Sequence, residues 1–160
     1  MPKSSFFYTF FILLFLTGCI GKYQIEKSVT CKVVIKNEKF AIADMGFLKE
    51  SENYKNLQIL TAGKVVLNIE LSRSFACING RCTTREDFNR RFFKKEHYKK
   101  MMDDILNGYP IYKGKNLKKS FDGFIQKITG RDFSIIYIVK GKNIYFRDVI
   151  NKILIKIERI

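Results

Sequence analysis

Tryptophan is absent from this 160-residue chain, proline occurs twice and histidine once. One histidine leaves almost no material for a His-based zinc site. The glycines are scattered, so neither a phosphate-cradling loop nor a dinucleotide fingerprint can be assembled, and no G-x-S-x-G or H-E-x-x-H pattern occurs. Carboxylates number 15 against 30 basic groups, and the close pairs, Asp103-Asp104 and Glu50/Glu52, have no candidate nucleophile beside them. These gaps argue for a protein that is not an enzyme, with no catalytic residues, no metal and no cofactor. A transmembrane helix is also missing. The longest uncharged apolar run, Phe6 to Leu16, has eleven residues where roughly 17–25 are needed.

What the chain does have is apolar bulk, 46% of residues with fifteen phenylalanines, and a net charge of +15. That much apolar material excludes a wholly disordered chain, and the length fits one domain. The charge alone suggests nucleic acid, but the N-terminus redirects it. Lys3, the run FFYTFFILLFL and then Thr17-Gly18-Cys19 have the order of a secretory signal peptide: basic, apolar, small residues at the cut. The competing reading is a buried N-terminal element of the domain. Leu16-Thr17-Gly18-Cys19 further resembles the lipobox of bacterial lipoproteins. The resemblance implies that residues 1–18 are removed and that Cys19 becomes a lipidated first residue. Several acyl chains, at about 0.8 kcal/mol per buried methylene, then hold the protein on the membrane. Ile20 after that cysteine resembles sequences sent to the outer membrane. An outer-membrane lipoprotein on the periplasmic face has no nucleic acid to meet. Residues 19–30 read as the lipidated cysteine and a short tether, and residues 31–160 as one globular domain.

Within that domain, strand-like runs cover 31–36, 39–48, 57–61 and 64–71, then 123–128, 132–139, 143–147 and 152–159, while 115–122 reads as a polar loop. Asn79-Gly80 is the preferred pair for a two-residue type I′ hairpin turn, which places Cys77 opposite Cys82 for a cross-strand disulfide. Export permits that bond. Cys31 is left as a buried free thiol. Thr84 is a good N-cap, and Phe88, Phe92, Tyr98, Met101, Met102, Ile105 and Leu106 recur at mostly helical spacing as far as Gly108. One helix over 84–107 is expected, with His97 on a solvated surface among lysines. The predicted fold is α+β: a curved, half-barrel-like antiparallel sheet of about seven to nine strands, with that helix packed on the concave face.

In FSIIYIV (133–139) both alternating faces are apolar. One can pack on the helix; the other must be covered or form a cavity. The dispersed lysines admit two readings: attraction to anionic lipid head groups beside the anchor, or the codon bias of an AT-rich genome. The denser clusters are Arg90-Arg91, Lys94-Lys95, Lys99-Lys100 and Lys113 to Lys119.

The order of elements also resembles the LolA/LolB group of lipoprotein carriers and acceptors. The similarity rests on FAIADMGFL, LQILTAGKVVLNIEL, the helix ending in Leu106-Asn107-Gly108-Tyr109-Pro110, and GFIQKITGRDFSIIYIV, together covering residues 39–159. The chain departs in being shorter, lacking tryptophan, showing one clear helix and carrying a cysteine hairpin. The resemblance implies a half-barrel that holds acyl chains or other lipoproteins. Phe88, Phe92, Met102, Phe124, Ile136 and Ile138 are the expected lining of such a cavity. The runner-up is an envelope lipoprotein with a filled core that serves structure or protein interaction; a degradative envelope enzyme comes last.

Overall fold

The computed structural model describes residues 25–160. Residues 1–18, expected as a signal peptide, and Cys19 lie outside the described residues. The chain folds as α+β, with one curved, open antiparallel sheet of eleven strands rather than seven to nine. Six strands come first: β1 (Lys27–Lys36), β2 (Ala41–Ser51), β3 (Tyr54–Thr61), β4 (Lys64–Ser72), β5 (Phe75–Ile78) and β6 (Arg81–Thr84). Two short helices follow, α1 (Arg85–Phe93) and α2 (Met101–Asn107), and then β7 (Leu117–Ser120), β8 (Gly123–Thr129), β9 (Ser134–Lys140), β10 (Asn143–Asp148) and β11 (Ile153–Arg159). The spatial order β6-β5-β4-β3-β2-β1-β11-β10-β9-β8-β7 makes each half a meander. The halves meet where β1 pairs with β11, Val33 opposite Ile157 and Ile35 opposite Ile155.

Alternation along the strands sends one set of side chains to a core beneath the helices. Val33, Ile35, Leu48, Leu57, Ile59, Leu67, Ile69, Tyr137, Phe146, Ile155 and Ile157 are all buried there with Phe88, Phe92, Met102 and Ile105. The helical segment crosses this face from one sheet edge to the other half, α1 touching β5 and β6 and α2 touching β10.

The single expected helix is two, because the chain turns at Lys94, which has φ 58°. The carbonyls freed by the break are taken up by side chains of α1. Asn89 Nδ2 donates to His97 O at 3.2 Å and Tyr98 O at 3.0 Å, and Arg85 Nη2 donates to Lys99 O at 3.1 Å. Both donors are buried, so the break is a fixed corner held by side-chain hydrogen bonds to its carbonyls. The expected ends hold: Thr84 Oγ1 accepts from Asp87 N at 3.2 Å, and Gly108 closes α2 at φ 75°.

Two further differences concern strands. β1 begins at Lys27, four residues inside the span read as tether. The loop read at 115–122 holds β7, an edge strand of sequence LKKS. Buried Gln126 fixes the chain leading into it, exchanging hydrogen bonds of 2.9 Å with Ile111 N and O and donating to Lys115 O at 2.8 Å. The cysteine hairpin forms as read: Cys77 pairs with Cys82 across Asn79-Gly80, both turn residues have positive φ, and the sulfurs are bonded at 2.06 Å. Cys31 is free and buried.

Candidate binding groove on the helix-free face

The strands that supply the core also expose apolar groups on their other side. Over β2, β1, β11, β10 and β9 these outline a groove of about 590 Å³. Val34, Ala43, Met45, Ile138 and Tyr145 contribute apolar surface, and Lys32, Lys140, Asn143, Lys156 and Glu158 contribute polar groups. The volume lies within the ~300–1,000 Å³ usual for small-molecule sites, and the mixture of apolar surface with a few polar groups is their usual composition. The apolar surface extends past the groove to Phe47, Val66 and Ile125, each 38% exposed.

Its electrostatics favour an anion. Glu158 meets Lys32 at 3.6 Å, a pair exposed enough to contribute little. Asp44, also at the groove, accepts from Met45 N and Thr61 Oγ1, both at 2.8 Å, and these bonds hold its carboxyl below the ordinary range. Lys156 Nζ sits 5.5 Å from the centroid of the Tyr145 ring. Lys140 has no carboxylate partner within ion-pair distance among the described residues. One ammonium over an aromatic ring and one unpaired ammonium therefore border an apolar floor.

The six expected lining residues do not come together. Phe88, Phe92, Met102 and Phe124 lie in the core under the helices, with the Phe88 and Phe92 rings stacked at 5.5 Å and Phe124 edge-on to Tyr137 at 5.6 Å. Phe88 and Phe92 reach a pocket of about 170 Å³ between α1 and the cysteine hairpin, small beside the groove. Ile138 lines the groove itself, and Ile136 follows it along the same face of β9. Sequence reasoning missed Val34, Ala43, Met45, Tyr145 and the lysines. The signal was available: CKVVIK and FAIADMGFL have apolar residues at both parities, just as FSIIYIV does.

His97 corrects another expectation. It is 6% exposed rather than solvated, because the corner after α1 folds it under the aromatic residues. Phe93 and Phe133 present ring edges at 5.4 Å, and Nδ1 is hydrogen-bonded to the Tyr112 hydroxyl. Burial lowers its pKa to about 4, against the opposing pull of Asp148, so the ring is neutral at physiological pH. Arg85, 3% exposed, is ion-paired with Asp103; desolvation lowers it to about 10, which leaves it charged. Both clusters hold the corner in place. Among the described residues no three His, Cys, Asp or Glu side chains are grouped to hold a metal. No protein-family model matches the chain, and no curated protein matches it.

Proposed function

We propose that the protein is a non-enzymatic lipoprotein, anchored at the outer membrane through lipidated Cys19 and facing the periplasm, that holds the acyl chain of an anionic amphiphile. The groove on the helix-free face carries this reading. Its floor of Val34, Ala43, Met45, Ile138 and Tyr145 suits an alkyl chain, and Lys140 and Lys156 suit a carboxylate or phosphate head. The half-barrel likeness to the LolA/LolB group belongs to this proposal, as does its implied cargo of acyl chains or lipoproteins. The cradle proposed here is the open groove rather than a cavity lidded by helices.

A fluorescent fatty acid titrated into the purified full-length protein tests it. The wild type should bind saturably, and Ala43→Phe, which fills the floor from an exposed position, should weaken binding at least tenfold, about 1.4 kcal/mol. Absence of saturable binding, or an unchanged affinity in the variant, would remove the carrier reading. Mass spectrometry of the membrane fraction tests the anchor separately, since an unmodified Cys19 excludes it.

A second reading is an envelope lipoprotein whose helix-side core is filled and whose role is structural or protein-binding. Phe88, Phe92 and Met102, each no more than 2% exposed, favour it. The apolar surface at Phe47 and Val66 would then be a partner's seat, and the fatty acid would not bind.

A further inference from the structure

Phe121 is fully exposed, at 107%, whereas the other exposed large apolar residues range from 38% to 61%. It occupies the tip between β7 and β8, where Ser120 pairs with Gly123. The tip stands on a firm base. A side chain at Gly123 would place its Cβ 1.9 Å from Val139 O, so only glycine lets the hairpin press this closely on β9. Gly141 N, in the β9–β10 turn, donates to Asp122 O at 2.8 Å and ties the two turns together. Lys118, Lys119, Lys140 and Lys142 are exposed around the ring, with Asp122 as the opposing charge at the tip. None of the four lysines has a carboxylate partner within ion-pair distance among the described residues.

The position of this tip in the sheet is the second observation. Asp122 is bonded to Gly141, Lys142 O accepts from Arg159 N at 3.2 Å, and Ile160 N donates to Thr30 O at 3.0 Å. These bonds run across one end of the sheet to β1, whose first residue, Lys27, pairs with Glu50 there. The chain from Cys19 therefore enters the fold at the end that carries Phe121. Lys27 is eight positions after Cys19, a reach of at most roughly 28 Å at ~3.5 Å per step.

We propose that the β7–β8 tip docks on an anionic lipid bilayer, with the Phe121 ring in the interfacial layer and Lys118, Lys119, Lys140 and Lys142 against the head groups. An apolar side chain ringed by cations is the chemistry such an interface rewards. The inference rests on the anchor reading only for which surface lies within reach. Docking here brings the groove toward the lipid as well, because Lys140, Asn143 and Glu158 lie at the same end of the sheet.

The lack of tryptophan makes the test direct. Phe121→Trp creates a sole indole at the tip, and Val65→Trp, at the exposed β3–β4 turn of the opposite end, provides the control. Full-length protein is mixed with phosphatidylcholine vesicles, with or without phosphatidylglycerol, containing brominated acyl chains. The tip indole should shift to the blue and be quenched with phosphatidylglycerol present, and should recover when Lys118→Ser and Lys119→Ser are added. The control should remain aqueous. An unquenched tip, or equal quenching at both ends, overturns the proposal. So does an indole shielded in native envelopes but not by vesicles, which would assign the tip to a protein partner. Mass analysis of Cys19 in the same samples separates failure of the tip from failure of the anchor: a quenched tip on an unmodified chain sinks only the anchor.

Discussion

The two faces of the sheet are built from the same strands and treat apolar residues in opposite ways. On one, Val33, Ile35, Tyr137, Phe146 and Ile155 are sealed beneath the helices to within 1% of full burial. On the other, Met45 and Phe47 keep nearly 40% of their surface, with lysines beside them. Apolar composition at both parities therefore does not mean burial at both. The face crossed by the helical segment buries its apolar groups, and the open face leaves its own exposed to a ligand.

That contrast can be broken by measurement. The largest effect belongs to the covered face: Phe92→Ala should lower stability by about 3–5 kcal/mol in chemical denaturation, as removal of a packed ring does. A loss below about 1 kcal/mol would mean that the helices are not closing a packed core.

Acid should act on the same face. His97 is held near 4 when folded and returns to about 6.5 when unfolded, so the unfolded chain binds the extra proton between those values. The stability that this buried neutral ring confers is complete above about pH 6.5 and is lost as pH falls toward 4. The loss should be about 3 kcal/mol at most, and His97→Phe should flatten that part of the pH–stability curve. An unchanged slope would place the proton elsewhere.

Opening the Cys77–Cys82 bond should cost about 2 kcal/mol in the chain-entropy account of a short loop. Cys77 alternates with the core-facing Ala76 and Ile78, so the bond lies on the helix-free side of the sheet edge. The double serine variant should unfold at a lower denaturant midpoint while His97 keeps its acid response. The smallest effect is expected on the open face: Met45→Ser should move stability by no more than about 0.5 kcal/mol. A larger drop would show that this surface is packed against something in the native protein.

The parts of the fold that were legible in the sequence are those fixed by neighbours in the chain. Asn79-Gly80 determines its own turn, Thr84 caps its own helix, and Gly108 ends one. The illegible parts depend on distant partners. Helical spacing runs on through α1 and α2, while the corner between them is held by Asn89 and Arg85 reaching forward to carbonyls 8 to 14 residues away. The same corner buries a histidine whose local sequence, KKEHYKK, is mostly charged. β7 looked like a loop because LKKS is how a short, charged edge strand reads. A cavity under the helix is what the LolA/LolB resemblance implies, yet Phe88, Phe92 and Met102 fill the interior there, and the apolar groove lies across the sheet.

The pairing of the first strand with the last has a consequence for the order of assembly. Each meander can zip from residues close in sequence, but the central seam joins segments far apart in the chain, Cys31 opposite Arg159. Contacts of such separation form late and slowly. The groove straddles that seam, drawing Lys32 and Val34 from β1 and Lys156 and Glu158 from β11. Only a chain that holds both β1 and β11 can therefore present it. A chain clipped before residue 153 could fold the β1–β6 meander locally and would still lack half of the groove, so that binding itself reports the closing of the seam.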